Sequence, residues 1–323
     1  MIFGIKFTNT INIIMINIDE EYKGLVSGVF YSGVRKQDRT GTGTISVFGR
    51  QISHDMDLGF PLLTTKKVYF NHALTELIWM LNGRTDMQFL EDHGVKYWTP
   101  DYKRSGRTDG TLGKVYGYQW RNFNGIDQLF ELMFTLQNEP TSRRMMVSAW
   151  NPSDMEDMVL PPCHYGFQVY TRDLNLDERI DIYNKTVNPM SRSSDYLDEH
   201  MDLYGVPNKA LDLMWTQRSV DVFLGLPYDI AIYGLLLLYL AKGFGYKPGR
   251  LIGQLGDCHL YSNHEDAVKE LLKRDHKTLP KVTVDEGLKF VGHNEIFIPN
   301  HNMVTLENYN PHPPIKAPLS VGN

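Results

Sequence analysis

Residues 143–170 read RRMMVSAWNPSDMEDMVLPPCHYGFQVY. Two apolar runs, RRMMVSAWN and YGFQVY, have the β-branched and aromatic content of buried strands, and the polar, proline-bearing segment between them can continue neither. Cys163 therefore falls at the entrance to a strand, just after a Pro-Pro turn, with His164 beside it. A thiol so placed is either a small core hydrophobe or a nucleophile restricted to one exposed orientation, and the position alone leaves both open.

Outward from this stretch, helical and strand patterns interleave. Glu20 to Val34 has helical spacing, RKQDRTGTGT (35–44) marks a turn, and ISVFGRQISHDM (45–56) alternates like a strand. NHALTELIWMLNG (71–83) reads as an apolar helix closed by Asn82-Gly83, with Glu76 in its middle. That carboxylate is either paired or functional. IDQLFELMFTLQN (126–138) is a further amphipathic helix. On the C-terminal side, residues 172–208 are charge-rich and read as a surface insertion, ALDLMWTQRSVDVFLG (210–225) as strand and turn, and PYDIAIYGLLLLYLAKGFG (227–245) as a long buried helix. RLIGQLGDCHLYSN (250–263) and KVTVDEG (281–287) resemble later strands.

The pattern is that of an α/β protein with a single domain over residues 18–323, preceded by an extension, 1–17, that reads as an extra strand or a tail, with Met15 as an alternative start. With 42% apolar and 22% charged residues, the chain has ordinary globular composition. A net charge of −5 with scattered bases argues against broad neutralisation of a nucleic-acid backbone, but leaves room for a small anion held by a few arginines. Two cysteines suit a reducing cytoplasm, and no metal-ligand spacing occurs. Neither a signal-peptide core nor an apolar run of roughly 20 residues is found.

Arg39, Arg143, Arg144 and Arg218 lie in segments rich in turn and hydroxyl residues. Singly each is an ordinary surface charge; together they could clamp a phosphate and lower the pKa of a nearby thiol.

With PPCH, DRTGTGT, SRR and QRS in this order, the chain resembles the thymidylate synthase family from about Glu20 onward. FPLLTTKK, ELIW, VYGYQWR, VSAWNP, QRSVDVFLGLP, GDCHLYSNH and YNPHPPIKAP add to the resemblance. It implies a three-layer α/β fold around a mixed sheet, and a homodimer packed through sheet faces with arginines from both chains in each site.

It further implies Cys163 as nucleophile, Arg39 and Arg218 as phosphate ligands from one subunit, and Arg143 and Arg144 reaching across from the other. Gln217 and Ser219 join the nucleotide site, and His259 and Tyr261 resemble the pair on the ribose 3′-hydroxyl. Glu76 resembles the carboxylate that orders water near the base, and Tyr116 a residue of the water network at C5. For 5,10-methylenetetrahydrofolate, the matched positions are Trp98, Asp221, Leu224, Gly225 and Tyr228, with Lys66 facing its glutamate tail. The chemistry accounts for the thiol: C5 of a pyrimidine is a poor nucleophile until a thiolate adds at C6.

The sequence departs from the family pattern in LPYDIA (226–231), where Asp229 replaces an asparagine. An amide can donate to uracil O4 and accept from N3–H; a carboxylate only accepts. Cytosine supplies the donor, so dCMP is the expected substrate and dUMP the alternative, and Asp229 joins the catalytic set. The same aspartate resembles the deoxycytidylate hydroxymethylase branch. Asp101 stands in the place of a second tryptophan, and the tail PHPPIKAPLSVGN extends past the usual ending by Gly322 and Asn323. Both favour water over hydride as captor of the transferred carbon, giving a hydroxymethyl product, with a methyl product or a non-enzymatic nucleotide-binding role as the rivals.

Overall fold

The structure, a computed structural model, describes residues 17–38, 40–187, 197–285, 287–290 and 298–320. The extension before Asn17, Arg39 and the last residues Val321–Asn323 lie outside the described residues.

Helix α1 (Ile18–Ser32) begins where the sequence provides a cap: the Asn17 side chain accepts from the Asp19 N–H at 2.8 Å, and acids fill the first turn. Its buried side chains, Ile18, Tyr22, Leu25, Val26 and Val29, recur at helical spacing and pack on the sheet. Strands β1 (Val34–Lys36) and β2 (Thr44–Asp55) follow. Helix α2 (Phe70–Leu81) is buried almost all round, and four shorter helices succeed it: α3 (Met87–Asp92), α4 (Thr99–Ser105), α5 (Gly117–Arg121) and α6 (Gln128–Asn138). A Cβ on Gly117 would lie 2.3 Å from the Met80 carbonyl oxygen, so only glycine lets α5 approach α2 this closely.

The strands flanking Cys163 are β3 (Met146–Ser148) and β4 (His164–Asp173). Between β4 and β5 (Lys209–Asp221) the charge-rich segment forms α7 (Leu176–Thr186) and α8 (Leu197–Leu203). Ile180 and Tyr183 on α7, Met201 on α8 and Val206 beyond it form a hydrophobic cluster of their own. The nearly buried Arg179 ties the two helices together through Asp198 at 2.7 Å and Asp202 at 2.5 Å.

Helix α9 (Leu226–Phe244) connects β5 to β6 (Lys247–Tyr261), and α10 (Glu265–Lys273), β7 (Lys281–Val284) and β8 (Val304–Glu307) complete the chain. By length and composition α9 could cross a membrane; here it is the core helix, packed on β5, β6 and α2.

The main sheet has the order β1-β2-β6-β5-β4-β3, and only β5 and β6 run parallel. This is the mixed α/β sheet expected from the sequence. By register Ser53, Ile252, Met214, Gln168 and Met146 are neighbours across five strands. None of them is buried, and Met146 is 60% exposed. Phe48, on β2, is 84% exposed.

Candidate active site

Cys163 is a half-buried thiol at the mouth of β4. Its carbonyl accepts from the Arg218 N–H at 2.8 Å, which anchors it to β5, and its own N–H donates to the Tyr116 hydroxyl at 3.1 Å. Tyr116 has φ 35°, a left-handed conformation that costs a non-glycine residue on the order of 1–3 kcal/mol. That turn brings its ring onto His164, 4.3 Å between centroids, and its hydroxyl under the nucleophile. The Arg218 guanidinium donates to the Pro162 and Pro161 carbonyls at 2.9 and 2.8 Å and lies over Trp150. A cation is thus fixed on the two residues preceding the thiol. The other cysteine, Cys258, is fully buried and its thiol is pushed up to about 12 by burial, so it offers no competing nucleophile.

Asp229 lies in the first turn of α9, buried, where the helix dipole favours an anion and burial opposes one. Burial wins: the carboxyl is pushed up to about 7, although the Gln217 amide, donating to Oδ2 at 2.8 Å, lowers it. The other oxygen is 3.7 Å from His164 Nε2. That contact is not an ion pair, because burial depresses His164 to about 3 and keeps the ring neutral. His164 Nδ1 is 2.9 Å from the Tyr233 hydroxyl on α9.

Glu76 is buried in α2, and both its oxygens are engaged by consecutive residues: Tyr97 donates its hydroxyl to Oε2, and Trp98 its indole N–H to Oε1 at 2.9 Å. Burial raises its pKa and these two donors oppose the rise. The Tyr97 ring also contacts Tyr228, 5.8 Å between centroids, and Trp98 stands edge-on to Tyr116 at 5.9 Å. Glu76, Trp98, Tyr116 and Tyr228 are thus joined through ring and hydrogen-bond contacts, with Asp229 reached through His164 and Cys163 through its backbone N–H. Tyr97, Tyr233 and Trp215 belong to this network but escape a reading by motif, since what recruits them is sheet register and a loop that doubles back on α2.

Asp221 Oδ1 accepts from the N–H groups of Phe223 and Leu224 at 3.0 and 2.9 Å and shapes the turn into α9, which holds Leu224, Gly225 and Tyr228 in place. Ser219 and Asp221 on β5 pair with Asp257 and His259 on β6, and His259 stands edge-on to Tyr261 at 5.3 Å. These residues gather at one end of the parallel pair.

Lys66 differs from its expected role toward a glutamate tail. Its Nζ is buried, donates to the Phe223 carbonyl and sits 4.0 Å from the Phe223 ring centroid, and burial lowers it to about 7. In this conformation the amine is committed to the turn before α9. Asp101 is bound by Arg104 at 2.5 Å, so a neutralised polar pair, not a lone acid, stands near Trp98. Arg143 and Arg144 are exposed and precede β3, beside the far half of β4. At 3.3 Å per strand residue they lie roughly 20 Å from Cys163 in the same chain, and the single chain does not bring them to the thiol. Arg39 lies outside the described residues. Among the described residues no group of three His, Cys, Asp or Glu side chains could hold a metal.

A half-buried thiol on a proline turn thus stands in one connected cluster with two buried carboxyls, Glu76 on α2 and Asp229 in the first turn of α9. Residues 20–321 match the family model for thymidylate synthase. The chain belongs to the thymidylate synthase family. As a thymidylate synthase family member it is a folate-dependent enzyme that transfers one carbon to C5 of a pyrimidine nucleotide, with methylenetetrahydrofolate as co-substrate.

Proposed function

We propose that this enzyme is a dCMP hydroxymethylase: dCMP, methylenetetrahydrofolate and water give 5-hydroxymethyl-dCMP and tetrahydrofolate. The observation that carries the base choice is Asp229, buried, near neutrality in its titration and surrounded by the Gln217 amide and neutral His164. As an acid it donates to cytosine N3 and accepts from N4–H. When the Cys163 thiolate adds at C6, N3 becomes basic and takes the proton, and the carboxylate is left facing two donors. Uracil presents O4 and N3–H instead, a pattern that only the protonated acid can meet and that the carboxylate repels, so dUMP loses ground as Asp229 ionises.

Cys163 forms the C6 bond and is later eliminated; Glu76, held by Tyr97 and Trp98, orders the water near C5; Tyr116 fixes the nucleophile's backbone. Arg39, Arg218, Ser219, His259 and Tyr261 hold phosphate and ribose, with Arg143 and Arg144 supplied by a second subunit. The exposed sheet face around Phe48 and Met146 supports a homodimer, since apolar side chains of that size are seldom left to solvent across a whole sheet. The Asp101–Arg104 pair in place of an aryl ring supports water as the captor of the carbon.

The competing outcome is a methyl product. The tail favours closure: the Pro318 carbonyl is 2.7 Å from His264 Nε2, and Arg274 donates to the Pro313 carbonyl at 2.6 Å. Mass spectrometry of the products from dCMP and from dUMP, with absorbance recorded at the dihydrofolate band, decides between them. The reading requires a hydroxymethyl product from dCMP and no dihydrofolate; thymidylate with dihydrofolate from dUMP would overturn it.

A further inference from the structure

We propose that Trp215 is a positioning residue for base recognition: its indole N–H holds the side-chain amide of Gln217 in the one orientation that donates to Asp229. The inference rests on the reading of Asp229 as the base-contacting group, and goes beyond it to what keeps that group competent.

An amide has two ends of nearly equal shape and opposite hydrogen-bonding sense. Gln217 Oε1 accepts from Trp215 Nε1 at 3.1 Å, and its Nε2 donates to Asp229 Oδ2 at 2.8 Å and to the Ser219 carbonyl at 3.2 Å. Turned over, the amide would set N–H against N–H at the indole and oxygen against oxygen at both other partners. Of these three neighbours, Ser219 and Asp229 belong to the site itself. Only Trp215 sets the orientation from outside it.

The fold is built to seat that indole. Trp215 is 1% exposed and stacks on Tyr233 with ring planes 6° apart. Opposite it on β6 stands Gly253, where a Cβ would lie 2.6 Å from the indole ring. The Tyr233 hydroxyl meets His164 Nδ1, and His164 Nε2 faces Asp229 Oδ1. Both oxygens of Asp229 therefore face groups that lead back to one aromatic stack. The titratable groups around Asp229 are Glu76, Asp221, His164, Tyr97, Tyr116 and Tyr233, and none of them supplies a cation to replace the amide donor.

Without the indole N–H one of the three contacts that orient the amide is gone, and once Asp229 is protonated only the Ser219 carbonyl opposes the turned form. Its Oε1 would then accept the acid proton of Asp229, the proton destined for N3, and withhold it from the base. Binding would survive and turnover would fall.

The test uses two replacements of Trp215 in the full-length enzyme: Trp215→Phe, and benzothienylalanine at the same site, which keeps the bicyclic shape and replaces N–H by sulfur. For both, kcat is expected to fall roughly tenfold with KM within about twofold, the worth of one neutral hydrogen bond. The descending limb of the kcat–pH profile should move up by about half to one unit, because Gln217 no longer favours the carboxylate. If benzothienylalanine gives wild-type kcat and midpoint, or if kcat falls with the midpoint unmoved, the role is packing alone and the proposal fails. The midpoint is read on whichever nucleotide the wild-type enzyme turns over. A wild-type preference for dUMP would thus overturn the base assignment without touching this test, and an unmoved midpoint would overturn this inference without touching the assignment.

Discussion

Asp229 shows how one side chain can serve chemistry at a cost in stability. Its carboxyl titrates near 7 in the fold and near 4 in an unfolded chain, so folding favours the protonated form. The penalty is absent below about pH 4, grows as pH rises, and is complete above 7. Asp229→Asn should therefore be more stable than wild type at pH 8, on the order of 2–4 kcal/mol in denaturant unfolding, with the difference vanishing near pH 4. The same variant should shift the kcat/KM ratio toward dUMP; an unchanged ratio would refute its role in reading the base. Glu76 obeys the same logic with opposing donors. Tyr97→Phe removes one of them, so Glu76 rises further and the ascending limb of the activity profile moves to higher pH, with a loss of roughly tenfold at pH 6 and less at pH 8. The importance of Asp229 was legible because it stands inside a motif whose other members are intact. Tyr97 was not, because nothing in YWTP announces that a hydroxyl will reach back 21 positions to Glu76.

Among the elements, the long ones were legible and the joints were not. The apolar periodicities of α1, α2, α6 and α9 survive in the structure because each buries a continuous face, whereas β2 is buried toward its two ends and exposed from Phe48 to Gln51. What positions them is local and polar. Asp19, in the first turn of α1, accepts from the N–H and hydroxyl of both Thr64 and Thr65 at 2.7 to 3.0 Å, fully buried, and so fastens α1 to the segment that leads to Lys66. Sequence shows an acid at a helix start, a common cap-region residue, and gives no sign of a partner 45 positions away. Asp19→Ala leaves four buried donors unsatisfied and should lower stability by about 3 kcal/mol or more, seen as a drop in Tm without a change in the pH profile of activity. A variant with wild-type Tm would show that water takes over these donors.

At the scale of the molecule, one chain brings together the thiol, both buried carboxyls and the β5–β6 strand ends, and leaves Arg143 and Arg144 exposed beside the far half of β4. If a second copy supplies them, an inactive Arg144→Ala protein mixed with inactive Cys163→Ala, unfolded and refolded together, should recover about a quarter of wild-type activity, since half the dimers are mixed and each then holds one complete site. Recovery of nothing would place the arginines outside the partner's site. The arrangement of chains could not be read from periodicity, because an exposed sheet face and a buried one carry the same alternation.

The lone parallel pair in the sheet has a further consequence. Antiparallel neighbours can be joined by a tight turn, but β5 and β6 require a crossover, and α9 is that crossover. The helix must start where β5 ends, so its first turn hangs over the same edge that displays Ser219, Asp221, His259 and Tyr261. On the proposed assignment, sugar and phosphate are addressed from strands and the base from the first turn of a helix. Specificity for the base would then be exchangeable at one position while the frame that holds the rest of the nucleotide stays in place, and α9 would be the part of this fold through which a lineage changes its substrate.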